Sequence, residues 1–133
     1  KLLLVDGTNS ADISLSVSYL EVSGKADQGG GLVWHATDDR NYYLLRVSLV
    51  EQKIRLYRVI KGVQHLIKQT DQPLSAGWHQ LRIAHQGCEI RVLYDDAIRF
   101  RVCDNTFPSG RIGLLTKADA VTYFDDLELQ LLK

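Results

Sequence analysis

Methionine is absent from the 133 residues, and proline and cysteine occur twice each. Without methionine the chain does not hold a translation start, which predicts a processed protein or a segment of a longer one with further domains as neighbours. The opening KLLLVDGTNS has one lysine and four apolar residues, too few for the core of a signal peptide, so any export signal is expected upstream. Apolar runs are short, as in Leu2 to Val5, which excludes a membrane-spanning helix and predicts no membrane insertion. Charge of one sign is also missing: 16 Lys and Arg balance 16 Asp and Glu. That removes the broad attraction to phosphate on which non-specific nucleic-acid binding depends, and predicts no nucleic-acid partner. Helix signals are scarce, because no window repeats apolar residues at i, i+3, i+4 and i+7 between a cap and a glycine.

Strand signals fill the space instead. Apolar and polar residues alternate through Ile13, Leu15, Val17 and Tyr19, then Leu32, Trp34 and Ala36, then Tyr43, Leu45 and Val47. Further runs cover 52–60, 63–70, 78–85, 87–94, 97–103, 111–117 and 121–132. Turn chemistry separates them at Asp6-Gly7, Ser23-Gly24, the glycines 29–31, residues 38–41, Lys61-Gly62, Ser75-Ala76-Gly77, Gln86-Gly87 and residues 108–110. About ten to twelve short strands with no covering helices predict a single all-β domain over residues 1–133, an antiparallel sandwich or barrel.

Cys88 and Cys103 belong to two runs on either side of Asp95-Asp96, which reads as a β-hairpin. If Ile90, Val92 and Tyr94 share the buried face with Ile98, Phe100 and Val102, Cys88 falls inside and Cys103 outside with Arg99 and Arg101. A two-residue loop would bring the cysteines opposite each other, but would set Ile90 and Val92 against Arg101 and Arg99. An odd-length loop is therefore expected, with two free thiols.

With the strands placed, four strings, GGGLVWHATDDRNYYLLRV, IRLYRVIKG, LSAGWHQLRIAHQGCEIRVLYDD and DNTFPSGRIGLLTKADAVTYFDDLEL, make the chain resemble the concanavalin A-like lectin/glucanase superfamily. It is similar to bacterial laminin-G-like members and to the carbohydrate-binding modules of fructan-degrading enzymes. The most specific pieces are Gly77-Trp78-His79, the Asp95-Asp96 hairpin and Tyr123 to Asp126. Asp96 stands where many relatives have a turn glycine, and His35 where an arginine is common. The resemblance implies a jelly-roll sandwich with one convex and one concave sheet, sugar binding on the concave face or its rim, and an extracytoplasmic, exported parent protein. Accessory and adhesion domains share the fold, so fold alone does not fix function.

Retaining glycosidases of this superfamily need two carboxylates about 5 Å apart, commonly two glutamates on one strand. Here Glu21, Glu51, Glu89 and Glu128 are 30 or more residues apart. No Gly-x-Ser-x-Gly elbow marks a serine nucleophile. His35, His65, His79 and His85 form no ligand spacing, and each reads as a surface or edge residue. The glycines 29–31 precede no helix and read as a turn or bulge rather than a phosphate cradle.

A sugar platform needs aromatic rings and fixed polar groups on one face. Alternation places His35, Tyr42 and Arg46 opposite the core set, and Arg55 and Tyr57 on the next strand join them. These five are the candidate ligand residues. The bland alternative is that Tyr42 and Tyr57 close the second sheet under snorkelling arginines. Trp34 and Trp78 read as core, and Arg99 to Arg101 as a solvated face. The fold resemblance further suggests that Asp6 and Asn9 near the start meet Asp125 or Asp126 near the end and hold a structural calcium; otherwise no cofactor is expected. The leading reading is a non-catalytic carbohydrate-binding module, with a hydrolase akin to 3-keto-disaccharide hydrolases or a protein-interaction sandwich as rivals.

Overall fold

The computed structural model describes residues 1–23, 30–48, 50–75, 77–116 and 121–132. The turn expected at Ser23-Gly24, the glycine at 29, Ala76 and Lys117 fall partly or wholly outside them. Among the described residues eleven strands run in the order β1 (Leu2–Ser10), β2 (Ile13–Ser23), β3 (Gly31–Asp38), β4 (Asn41–Ser48), β5 (Lys53–Ile60), β6 (Val63–Asp71), β7 (His79–Gln86), β8 (Glu89–Tyr94), β9 (Ala97–Cys103), β10 (Gly110–Leu115) and β11 (Val121–Leu131). They form two antiparallel sheets, β1-β10-β3-β4-β5-β6 and β11-β2-β7-β8-β9. This is an all-β jelly-roll sandwich: the alternation predicts its antiparallel strands, and the jelly roll is what the family resemblance implies.

Period-two patterning decides what fills the space between the sheets. Ile13, Leu15, Val17, Leu32, Trp34, Tyr43, Leu45, Ile54, Leu56, Ile83, Ile90 and Val92 are buried in one cluster drawn from both sheets. A second, smaller cluster lies on the outer face of the six-stranded sheet, where Val33, Ala36, Tyr42, Leu44 and Val59 are buried beside Leu2, Leu4, Tyr57 and Leu115. The central strands β3 and β4 are thus covered on both faces, and their burial patterns are almost continuous rather than alternating.

β1 departs from the sequence reading. Its four leading apolar residues do not alternate, and Asp6-Gly7 signals a turn, yet the chain continues as one edge strand. Gly7, at φ +77°, absorbs a bulge between Val5 and Ser10, a left-handed geometry that glycine adopts without a Cβ clash. Gly113 in β10 is required for a different reason: a Cβ there would collide with the Leu3 carbonyl oxygen and reach 2.9 Å from Leu4 Cδ2. Gly113→Ala should therefore push β1 off its partner and cost about 2–3 kcal/mol. Amide exchange at Leu4 and Val5 should quicken well beyond exchange in β7. Unchanged protection in β1 would show that the strand can yield without loss.

The cysteines form a disulfide, Cys88–Cys103, with Cα atoms 4.8 Å apart. The expectation of free thiols fails for two physical reasons. The β8–β9 loop is the two-residue Asp95-Asp96 turn, both residues at positive φ, and a bulge between Val92 and Leu93 then restores the apolar register, so Ile90 faces Val102 and Val92 faces Phe100. Arg99 is the extra residue, so no inward side chain has to meet an arginine. Cys88 itself sits in the β7–β8 turn, just outside both strands. Strand face rules do not govern it, and its main-chain carbonyl accepts from Asp104 N at 2.9 Å.

Trp34 is fully buried as expected, whereas Trp78, expected in the core, is 51% exposed at the entry to β7. His35 and His85 are 1% and 0% exposed rather than surface residues. His85 projects inward from β7 and stacks on His35 with ring centroids 4.5 Å apart. Polar groups lie within reach of three of the four ring nitrogens, while His85 Nε2 has no hydrogen-bond partner among the described residues. The indole Nε1 of Trp34 donates to His85 Nδ1 at 3.1 Å. His35 Nδ1 lies 2.7 Å from the Phe107 carbonyl, and its Nε2 lies 2.6 Å from that of Ala11.

Candidate functional site

The outer face of the six-stranded sheet brings together four of the five predicted ligand residues. On β4 and β5 the register sets Tyr42 against Val59, Leu44 against Tyr57 and Arg46 against Arg55. Gly31, opposite Arg46 on β3, leaves room for the stems of Leu44 and Arg46 to lean across it. The result is an apolar floor of Val33, Ala36 and Leu44, with two tyrosines along one side and two guanidiniums at one end. Arg55 is anchored by Glu51 at 2.6 Å and donates through Nε to Gln69 Oε1 at 3.0 Å. Tyr42 is only 8% exposed. Burial, with the charge of Asp39, raises its phenol pKa above the ordinary value, so it presents a neutral hydroxyl and ring edge.

His35 does not join this face. It takes φ +51° where the β3–β4 register shifts between Trp34 and Asp38, and that bulge turns the ring to the inner side against His85 and Tyr43. Strict alternation misplaces a side chain by one face at any bulge.

At the other end of the same face lies a cavity of about 350 Å³, lined by Gly7, Asn9, Ala36, Thr37, Ser109, Gly110 and Arg111. The β1 bulge opens it. Its lining is an amide, two hydroxyls and a guanidinium around a glycine and alanine floor, which suits ligand hydroxyls. The sequence signal for it was the Asp6-Gly7 pair, read as a turn.

The four residues expected to hold calcium are split between the sheets. Asp6 and Asn9 lie on β1, which pairs with β10, and Asp125 and Asp126 on β11, which pairs with β2. The ends of the chain are therefore not hydrogen-bonded neighbours. Asp6 is 3.4 Å from Arg111 Nη1 with its side chain 95% exposed, and Asp125 Oδ1 accepts from the Asp126 main chain at 2.8 Å. Among the described residues no three His, Cys, Asp or Glu side chains come together as a metal set.

One constellation was not legible in the sequence. His79 Nδ1 lies 2.7 Å from Asp95 Oδ2, and its Nε2 lies 3.2 Å from Ser75 Oγ, the order of a Ser-His-Asp triad. The same Nε2 is 2.9 Å from the Ser75 carbonyl oxygen, a partner that only an N–H satisfies. The nitrogen that would have to accept the hydroxyl proton is thereby engaged as a donor. His79 ties the loop before β7 to the Asp95-Asp96 turn, and Asp95 Oδ1 also accepts from Gln80 N at 2.8 Å.

A second polar knot closes one end of the sandwich. Tyr43 donates to Asp104 Oδ1 at 2.5 Å, and Arg58 pairs with Asp104 Oδ2. Burial works to raise the Asp104 pKa, but hydrogen bonds from Tyr43 and Thr106 and the Arg58 charge win, and hold the carboxyl below its usual range. Burial and the Asp104 contact push the Tyr43 phenol up. This carboxylate is held ionised as an anchor for the β9–β10 crossover.

The fold is an antiparallel two-sheet β-sandwich with an aromatic and basic outer face. Among solved structures the chain is similar to carbohydrate-binding module CBM66 from Bacillus subtilis, at 19% identity and TM-score 0.88, covering 97% of this chain and 80% of that one. It is also similar to a human galectin-16 variant, at 13% identity and TM-score 0.74 over 98% and 94% of the two chains. A Bacillus subtilis protein of unknown function with a galectin-like fold matches at 12% identity and TM-score 0.80 over 98% and 76%. At these identities the likeness establishes the fold. No protein-family model matches the chain, and no curated protein sequence matches it.

Proposed function

We propose that the protein is a non-catalytic carbohydrate-binding module, and that it binds sugar on the outer face of the six-stranded sheet. The observation that carries this reading is the grouping of Tyr42, Tyr57, Arg46 and Arg55 on adjacent strands, beside a cavity rich in hydroxyl and amide groups. Tyrosine rings suit the C–H faces of a pyranose or furanose, and guanidiniums donate fixed hydrogen bonds to its hydroxyls. The likeness to a carbohydrate-binding module and to galectins supports the same choice. An exported parent protein, in the manner of bacterial laminin-G-like domains, fits a disulfide, which persists in oxidising compartments.

A glycan array run with calcium and again with a chelator tests the reading. A defined hit is expected. If it survives the chelator, Arg46→Ala and Tyr57→Ala should each weaken it about tenfold or more, the loss expected for a charged hydrogen bond or a stacking ring. Arg46→Ala should leave the melting temperature within a few degrees. Tyr42 is too buried for truncation to report on binding, so Tyr42→Phe, which keeps the packing and removes the hydroxyl, is the informative variant there. A hit lost with the chelator would make the binding calcium-dependent and count against the tyrosine and arginine face as its sole determinant. Silence in both conditions would overturn the proposal. It would favour the protein-interaction reading, for which the exposed Leu3 and Val5 of edge strand β1, at 52% and 40%, are the relevant surface.

A further inference from the structure

The opposite face of the molecule carries a second recess. On the outer side of the five-stranded sheet, Ser14 and Ala84 form the floor of a cavity of about 250 Å³. Both are small, and they face each other across the β2–β7 pair. Leu93 and Ile98 wall one side, and Gln130 and Leu132 the other.

Two arginines line the same recess. Arg82 on β7 faces Leu93, and Arg91 on β8 faces Ala84, so the guanidiniums lie diagonally across one pair of strands. Their existing contacts are weak. Arg82 Nη1 is 3.4 Å from Ser14 Oγ, and its Nη2 is 3.8 Å from Asp96, whose side chain is 78% exposed. Arg91 Nε is 3.3 Å from Glu89 Oε1, but not in hydrogen-bonding geometry. The Nε atoms of both arginines are buried without a hydrogen-bond acceptor. Buried donors in folded proteins are almost always satisfied, by protein groups, ordered water or a ligand, so two such donors in one cavity leave room there for an acceptor. Ile98, Leu93 and Ala84 add an apolar wall beside the two positive groups, and Ile98 is 45% exposed.

We propose that this recess binds a small organic carboxylate, with its oxygens on Arg82 and Arg91 and its apolar body against Leu93 and Ile98. Two sources share that chemistry, a free short-chain acid and a uronate on a glycan. The site is independent of the sugar face, which lies on the other sheet.

Titration of the full protein with sodium hexanoate, and separately with sodium glucuronate, followed through the arginine Nε–H signals in 15N-resolved NMR, decides the matter. The expected result is a saturable shift confined to Arg82 and Arg91 with at least one of the two, which also identifies the source. Sodium chloride at equal ionic strength is the control. Arg91→Ala should weaken binding at least tenfold, and Glu89→Gln, which removes the carboxylate competing for Arg91, should strengthen it several-fold. No saturable shift with either acid, or the same shift with chloride, would overturn the proposal, as would full affinity in Arg91→Ala. A glycan-array hit abolished by Arg46→Ala but untouched by Arg91→Ala keeps the two sites distinct, so failure of either reading leaves the other standing.

Discussion

Acid should unfold this protein early. Lowering the pH from 7 to 4 is expected to remove about 3 kcal/mol of stability through His85 alone, whose pKa is pushed down to about 4 by burial first and by neighbouring His35 second. The sign follows from which form the fold accommodates. An unfolded histidine titrates near 6.5, so the folded chain binds fewer protons between 6.5 and 4. Stability is complete above pH 6.5 and declines as pH falls toward 4. The structural cause is specific. The Trp34 indole can only donate, so His85 Nδ1 must accept, and a proton added there sets two N–H groups against each other. The lowered pKa of His35, caused by desolvation despite its two carbonyl partners, adds to the acid loss with the same sign.

Urea denaturation at pH 7, 5.5 and 4.5 reads this directly. His85→Asn, whose amide oxygen can still accept from Trp34, should flatten the acid limb while lowering stability at pH 7. An acid limb as steep in that variant as in the parent would assign the effect to other groups.

Removing the Cys88–Cys103 bridge is the other large effect. The bond closes a segment of 15 residues, and the chain-entropy account gives about 3 kcal/mol for a loop of that length. For a chain of this size that is a fall of roughly 10 °C in the melting temperature. Cys88→Ser/Cys103→Ser and reduction of the parent protein should agree. The loosening should concentrate in β9, a sheet edge whose N-terminal half is exposed. A melting temperature unchanged within two degrees under both treatments would mean that the hairpin is already fixed by its own pairing.

The two cysteines also show where sequence reasoning stops. Alternation correctly puts Ile90, Val92 and Phe100 on the core face but wrongly adds Ile98: two features, a two-residue turn and a bulge at Arg99, give Phe100 and Val102 the faces of the odd loop that the pattern suggested while setting Ile98 opposite Leu93 on the outer face, 45% exposed. The pattern is blind to the difference, because it records which side a residue faces and not how the chain regains register. His35 is the converse case: one residue at positive φ moves it from the predicted outer patch to the aromatic core. Gly7 hid a strand for the same reason, since a bulge glycine and a turn glycine look alike in sequence.

Sequence by itself determined the fold class, the positions of β2 to β11, most of the core, and the placing of Tyr42, Arg46, Arg55 and Tyr57 on one side. All of these follow from the two-residue period of a strand, which is local. Only the tertiary structure decided which strands lie beside which, and hence the separation of Asp6 from Asp125, the Cys88–Cys103 bond, the stacked His35 and His85, the Ser75, His79, Asp95 line and the recess at Arg82 and Arg91. Each joins residues from different strands or turns. Such contacts depend on strand order, bulges and the crossovers between sheets, none of which leaves a periodic trace in the chain.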